Sequence, residues 1–474
     1  MARVLFETFP GGVVRLSGLD VAFLCLEQPT RPMHLGALLT FEAPHAVAPE
    51  RIARLLARRA AATPALTKSV RGTWWPPGGA EWVPAERFAT GDHVFTHRLS
   101  DPGSAEQLSP LVASLMAPPL PRGLPPWQLH VISGFGQRRN RFAVLAKLHH
   151  ALTDGAGVPL IAGPLLDGIT PLPQRKPATP PAGSPLGRIW DWSRHTLDDV
   201  PQRVRDLAGE ATTQLRRSGR AAGIASAALA AARPPWPVYP SAAGTGGPRR
   251  DWAQLRLDAD TLRQVRERHG GTLNDVLLSV IAGGLRSWLS VIGDTAVLTD
   301  DRPLRAFLPV DVRSRNRTQT ALGNHLSGYL CDLPITHADP LARLRAIRDA
   351  TEHNKATGPA AGPGAFPLAA QAVPALAHRL LTPLLAPAAS LLFDVMITTA
   401  PTPDVPLQLG GATLRDVQPI APLAPGQALS IALTTYRDTV HISILSDADL
   451  APNVDKLADA TADAAGALHD SSRA

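Results

Sequence analysis

The sequence predicts an α/β protein of two domains joined by a long crossover, and three observations carry that expectation. The chain has 474 residues, whereas a single hydrophobic core stops growing at about 250–300 residues. A short apolar run, Phe142–Leu148, leads into a polar loop and then an apolar helix start, the order of an α/β unit. Six prolines fall between Pro171 and Pro185, a density that excludes regular structure and reads as a linker. The expected division is residues 1–165 as the N-terminal domain, 166–250 as a proline-rich and helical linker, and 251–474 as the C-terminal domain.

Each element follows from its local pattern. Residues 16–145 mix short apolar runs with one clear helix pattern at Pro49–Ala62. Phe142–Leu148 is short, apolar and ends in polar residues, hence a buried strand, and Val158 opens an apolar helix. Trp190–Ala232 reads as helical, with Val204, Leu207, Ala211 and Leu215 on one face and arginines opposite. That arginine stripe is read as a solvated face in preference to a membrane-docking one. Pro234-Pro235 and the stretch Ser241–Gly247 close the linker. Beyond Asp251, Ala259–His269 is a polar amphipathic helix, and Leu273–Leu289 a more apolar one starting at Thr272 or Asn274. Ala306–Val310 reads as a strand, and Ser430–Tyr436 with Thr439–Leu445 alternates around Arg437-Asp438 as a hairpin. Val454, Leu457 and Leu468 share one face of a closing helix.

Composition narrows the class. Hydrophobic residues make up 45% and charged residues 18%, which suits a chain that buries large cores. The net charge is +7, yet lysine occurs only at Lys68, Lys147, Lys176, Lys355 and Lys456, so the basicity is arginine. These arginines do not interleave with aromatics, and no nucleic-acid partner is expected. A mildly basic surface suits an anionic cofactor or anionic lipid headgroups instead. Two cysteines, Cys25 and Cys331, each in an apolar setting, fit a reducing cytoplasm. Met1–Gly18 lacks the apolar core of a signal peptide. The apolar stretch Ala356–Phe393 carries Pro359, Pro363, Pro367, Pro374, Pro383 and Pro387, which argue against a spanning helix.

The segment His149-His150-Ala151-Leu152-Thr153-Asp154-Gly155 is the part that can do chemistry. A histidine titrates near neutrality, so it can take a proton from a hydroxyl and return it to a leaving group. At the end of a strand adjacent side chains point oppositely, so one histidine can face a cleft while its neighbour points into its own domain. Asp154 can fold the loop back by an ion pair or an Asx-type bond, and Gly155 can supply a backbone angle or close approach closed to other residues. Two adjacent histidines do not readily share one ion and match no metal-binding helix spacing, so no metal is expected. No GxSxG elbow offers a serine nucleophile, and both cysteines read as small core residues.

The HHxxxDG pattern after a strand resembles the active-site signature of the CoA-dependent superfamily holding chloramphenicol acetyltransferase, peptide-synthetase condensation domains and bacterial wax ester synthase/diacylglycerol acyltransferases. The rest of the chain resembles the last group. Leu16–Leu24 with Asp20, then Pro32–Gly36, resembles its N-terminal segment. Pro125-Pro126-Trp127 resembles its Pro-Leu-Trp motif, and Asn274-Asp275 its Asn-Asp motif at a helix start. Leu308–Arg313, Leu322-Gly323-Asn324 and Asp332–Pro334 resemble its C-terminal signatures. One segment departs: where that family usually shows Asn-Val-Pro-Gly-Pro, this chain has Thr399-Ala400-Pro401-Thr402-Pro403.

The resemblance implies two chloramphenicol-acetyltransferase-like α/β domains with an interdomain channel. It implies His150 as the general base, Asp154 holding the loop and His149 in support. No covalent intermediate, metal or bound cofactor is implied; acyl-CoA is the donor substrate, and diacylglycerol or a fatty alcohol the acceptor. Gly155, Trp127, Asn274, Gly323 and Asn324 are the implied substrate or channel residues. Taken alone, Trp127 could equally be a core aromatic, Asn274 a helix cap, and Gly323-Asn324 a turn. The implied location is cytoplasmic, peripheral on the inner membrane face or on lipid droplets. Two rival readings stay open: an inactive lipid-binding homologue, or a relative using a polyketide or carrier-bound acceptor.

Overall fold

The computed structural model describes residues 14–74, 77–135, 140–168, 219–233, 246–291, 298, 303–312, 323–360 and 362–473. Of the expected linker helix only its end is included, helical over 219–231; Pro171–Pro185, Val204–Leu215 and Pro234-Pro235 lie outside the described residues.

Strands are numbered β1 to β15 in chain order. A small sheet, ordered β1-β4-β3, comprises β1 (Val14–Arg15), β3 (Lys68–Gly72) and β4 (Ala80–Pro84). The first large sheet contains β2 (His34–Glu42), β5 (Val94–Arg98), β6 (Trp127–Phe135) and β7 (Arg141–His149). It is completed by β12 (Gln408–Leu409) and β13 (Ala412–Ile420), in the order β12-β13-β2-β7-β6-β5. The second contains β8 (Arg250–Asp258), β9 (Leu304–Asp311), β10 (Leu326–Leu333), β11 (Val395–Thr399), β14 (Leu429–Tyr436) and β15 (Thr439–Asp447). Its order is β10-β9-β11-β14-β15-β8.

Strand β7 shows why the apolar run at 142–148 is continuous and not alternating. It lies between β2 and β6, covered on both faces, so both sets of side chains are apolar. On one face the helix Pro49–Ala61 presents Ile52, Leu56 and Ala60 at four-residue intervals. On the other the helix Ala105–Met116 packs Leu108, Val112 and Met116 against Ile132 and Leu145. The hairpin β14–β15 pairs Tyr436 with Thr439 around the expected turn, where Arg437 takes a positive φ of 55°.

In the second unit the helix Leu273–Val291 is buried on nearly every side, between the sheet and the closing helix Val454–Arg473. Gly284 allows that approach: a Cβ there would lie 2.7 Å from the Cα of Thr461. The apolar stretch Ala356–Phe393 resolves into the helices Phe366–Ala372 and Ala375–Leu385, the second with Pro383 inside it. Among the described residues no helix is long and apolar enough to cross a membrane.

Two features join the halves. Strand β13 leaves the C-terminal part of the chain to pair with β2, matching Ile420 to Gly36. A separate core cluster then combines Leu38, Leu145 and Ile420 of the first sheet with Trp252 and Leu445 of the second.

Candidate active site

The loop after β7 is built by hydrogen bonds that the sequence cannot show. His149, 3% exposed, accepts the Ala151 N–H at Nδ1 (3.0 Å), which leaves its proton on Nε2 facing Glu27 at 3.4 Å. Burial alone would raise the Glu27 carboxyl, but the His149 ring beside it, with the Met33 backbone and Arg122, brings it below the usual range. His150 turns the other way, into the wall of a large cavity. Its backbone N–H donates to Met33 O (2.8 Å), and its ring stacks on Phe23 with centroids 4.0 Å apart and planes 12° from parallel. The opposite orientation of adjacent strand-end residues thus separates two chemically identical side chains.

Asp154 closes the loop with both oxygens. Oδ1 accepts the Gly157 N–H (3.0 Å), an Asx-type turn, and Oδ2 accepts the His325 N–H (2.9 Å) from the other half of the chain. The segment carrying His325 is stitched alongside: Gly323 N–H donates to Leu152 O (3.0 Å), and Thr153 bridges Gly323 in parallel. Gly323 has φ +85°, the left-handed turn expected there. Asn324, 1% exposed, lies against His150, with Oδ1 2.8 Å from the imidazole Nδ1. It is held in turn by Asp20, 2% exposed, whose Oδ1 accepts from both Asn324 N (3.0 Å) and Nδ2 (2.7 Å). Burial raises the Asp20 carboxyl above its ordinary range despite these donors.

Burial also pushes the His150 imidazole down to about 4, opposed by the charge of Asp154, so at neutral pH the ring is uncharged and open to a proton. The cavity it faces has a volume of about 770 Å³ and runs between the two large sheets, walled by Leu19, Phe23, Leu148, Phe366, Met396 and Ala432 among others. Of the segment Thr399–Pro403, which departs from the family pattern, Ala400 to Pro403 are also in its wall. Among the described residues no group of three or more His, Cys, Asp or Glu is placed to hold a metal ion.

The other expected site residues separate. Trp127 is both core and wall: 1% exposed, it donates from Nε1 to Leu66 O (2.7 Å), stacks on His93 and borders the cavity. Gly155 borders the cavity without the special backbone expected of it. Its φ is not positive and an added Cβ would meet nothing within 4 Å, so what its missing side chain leaves is space. Asn274 is exposed and lies off the cavity wall, its Oδ1 accepting from Thr399 Oγ1 (3.2 Å). The helix is capped instead by Thr272, which exchanges bonds with Asp275 (2.7 and 3.2 Å). Sequence reasoning gave Asp20, Phe23 and Glu27 no role at the site. Besides the resemblance of the Leu16–Leu24 segment, the local signal was the Ser17-x-x-Asp20 capping box, present in the structure, which accounts for one of Asp20's two oxygens.

Two six-stranded sheets enclose an apolar cavity with the second histidine of HHxxxDG in its wall, the layout expected of an acyltransferase with that motif. Comparison with known proteins makes this specific. Residues 16–277 match the wax ester synthase/diacylglycerol acyltransferase catalytic domain, and residues 322–469 the C-terminal domain of the same proteins. The chain belongs to the wax ester synthase/diacylglycerol acyltransferase family, and it is an acyltransferase. It is 29% identical over 469 residues to the "Probable diacyglycerol O-acyltransferase tgs1" of Mycobacterium tuberculosis, covering 96% of this chain and 95% of that protein. It is likewise 29% identical over 462 residues to tgs2 of that organism, covering 92% and 95%. In fold it is similar to the wax ester synthase/diacylglycerol acyltransferase of Marinobacter aquaeolei VT8, with a TM-score of 0.68, 22% identity, and 97% and 100% coverage. It is also similar to the first condensation domain of the calcium-dependent antibiotic synthetase, with a TM-score of 0.59, 15% identity, and 97% and 96% coverage.

Proposed function

We propose that this chain transfers a long-chain acyl group from acyl-CoA to the hydroxyl of diacylglycerol or a fatty alcohol, with His150 as general base. The observation that carries this reading is the joint position of an uncharged imidazole and a large apolar cavity that it faces. The acceptor hydroxyl gives its proton to His150 Nε2 as its oxygen attacks the thioester carbonyl. The tetrahedral intermediate collapses with cleavage of the C–S bond, and the imidazolium returns the proton to the departing CoA thiolate. Every atom is accounted for without an acyl-enzyme. A positioned base of this kind contributes about 10²–10⁴-fold, and holding two long chains in one cavity supplies much of the rest. Asp154 acts by holding the loop, and His149 by packing behind it. The names of the mycobacterial relatives favour diacylglycerol as acceptor.

We propose further that the protein works at a lipid surface, the inner membrane face or a droplet. The helix Ala375–Leu385 turns Leu380 (62% exposed) and Leu384 (75%) outward, while Leu381 and Leu385 also wall the cavity. An exposed apolar face continuous with a lipid-sized cavity gives a water-insoluble acceptor a route that avoids water.

Initial rates of CoA release, measured with acyl-CoAs from C4 to C16 against dioleoylglycerol and hexadecanol, test the substrate class. Each buried methylene is worth about 0.8 kcal/mol, so apparent donor affinity rises with chain length until the cavity is filled. A flat or inverted series, or turnover with small polar acceptors only, overturns the neutral-lipid reading. Acyl-CoA binding without turnover establishes the inactive lipid-binding alternative.

A further inference from the structure

We infer that Asp20 and Asn324 form a positioning pair that selects the tautomer and the orientation of His150, presenting its lone pair at Nε2 to the cavity. The inference rests on the reading of His150 as the base.

The argument is one of donors and acceptors. The Asn324 side-chain amide has an NH2 end and an oxygen end of nearly the same shape, and its surroundings tell them apart. Nδ2 lies 2.7 Å from Asp20 Oδ1 and 2.8 Å from the carbonyl oxygen of His150. The carbonyl oxygen is an acceptor and nothing else, and the carboxylate accepts as well, so the NH2 end belongs there. The oxygen end is therefore the atom 2.8 Å from His150 Nδ1, and an amide oxygen only accepts. The proton of the neutral imidazole is consequently on Nδ1, and Nε2 carries the free pair. Reversing the amide would lose both Nδ2 bonds, the one to Asp20 being fully buried, and would set the amide oxygen against two acceptor oxygens.

Asp20 is what makes that reversal costly. It opens the helix Gly18–Leu26, where Ser17 N–H donates to its Oδ2 (2.9 Å) and Ser17 Oγ accepts its own N–H (3.1 Å). Its other oxygen is thereby aimed at Asn324, whose backbone N–H it also accepts (3.0 Å). A cap alone would need one oxygen and no burial; a carboxylate 2% exposed is expensive to keep unless its second oxygen has a use. Phe23, one turn along the same helix, covers the face of the imidazole. One short helix thus fixes the ring both in its plane, through Asn324, and across its face.

The test uses the full chain. The titratable groups around the ring are Asp154 and His149, with Asp20 one hydrogen bond further away. Asn324→Ala, which removes the side-chain acceptor at Nδ1 and leaves the ring only its own backbone carbonyl, is expected to lower kcat by about 10–100-fold with the KM for acyl-CoA nearly unchanged. The exchanged pair Asp20→Asn with Asn324→Asp keeps one carboxylate and one amide but puts the charge against the imidazole. Its acid limb in kcat/KM is expected to move to higher pH by about a unit or more; a pair that does not touch the imidazole would leave the limb in place. Wild-type kcat in Asn324→Ala, or an unmoved limb in the exchanged pair, overturns the proposal. Long-range ¹H–¹⁵N spectra of the wild-type chain decide the tautomer even where the variants fold poorly. A protonated Nδ1 on His150 supports the pair, and a protonated Nε2 removes it. Full turnover in His150→Ala would instead remove His150 as the base, a result that these spectra do not depend on.

Discussion

At the scale of single residues, two adjacent histidines on one strand end do different things because the chain between them reverses their surroundings. His150 faces the cavity, so His150→Ala is expected to cut acyl transfer by at least ~100-fold while the fold is kept. His149 is paired with Glu27 behind the loop, so His149→Ala is expected to cost less activity and more stability. Steady-state rates beside thermal denaturation check both; the reverse ranking at equal stability would exchange their roles. Burial also links His150 to pH. Its pKa falls from the ordinary 6.5 of an exposed imidazole to about 4 in the folded chain, so between those values the unfolded state binds more protons. The contribution of this group is therefore complete above pH 6.5 and is lost as pH falls toward 4. His130, pushed to about 3, and His441, pushed to about 4, act in the same direction. A plot of Tm against pH should decline over that window, and less steeply in His150→Ala.

Elements carry the next level of control. The loop after β7 and the segment 323–325 come from opposite halves, and Asp154 ties them through Gly157 and His325. Asp154→Asn keeps the size but offers one acceptor oxygen in place of two, so one backbone N–H loses its partner. Loss of a bond to a charged group costs about 1.5–3 kcal/mol, so a lower Tm and a partial loss of turnover are expected together. Full stability with no turnover would place Asp154 in the chemistry itself. The helix Ala375–Leu385 makes a separate prediction. Leu380 and Leu384 point outward, so Leu380→Ser with Leu384→Ser should leave Tm within a few degrees and weaken sedimentation with anionic liposomes. Unchanged sedimentation would move the lipid surface elsewhere on the molecule.

For the whole molecule, the decisive feature is that the halves are not independent. Strand β13, from residues 412–420, pairs with β2, and without it the first sheet would end on an open β2 edge. Residues 1–250 expressed alone are therefore expected to aggregate or to unfold without a cooperative transition. Co-expression with 251–474 should restore a soluble complex. A monomeric, cooperatively folding 1–250 would show that β13 is dispensable. The same crossing explains the cavity, because β13 also walls it, through Leu414, Val417, Pro419 and Ile420.

What the sequence determined by itself was local or combinatorial. The run Phe142–Leu148, the helices Ala259–His269 and Leu273–Leu289 and the hairpin at Arg437-Asp438 are legible because period and turn chemistry act over a few residues. The HHxxxDG segment is legible because its spacing is rare, and the order of the other motifs gave the family. What only the tertiary structure decided depends on residues far apart in the chain. Asn324 meets His150 across 174 positions and Asp20 across 304, and no periodicity reports such a contact. Asn274 looked like a cap or a channel residue until Thr272 took the cap and the helix turned it away from the cavity. Short-range sterics and hydrogen bonds write themselves into neighbouring residue types; a buried network satisfies its polar atoms from anywhere in the fold, so its members appear only when the chain is packed.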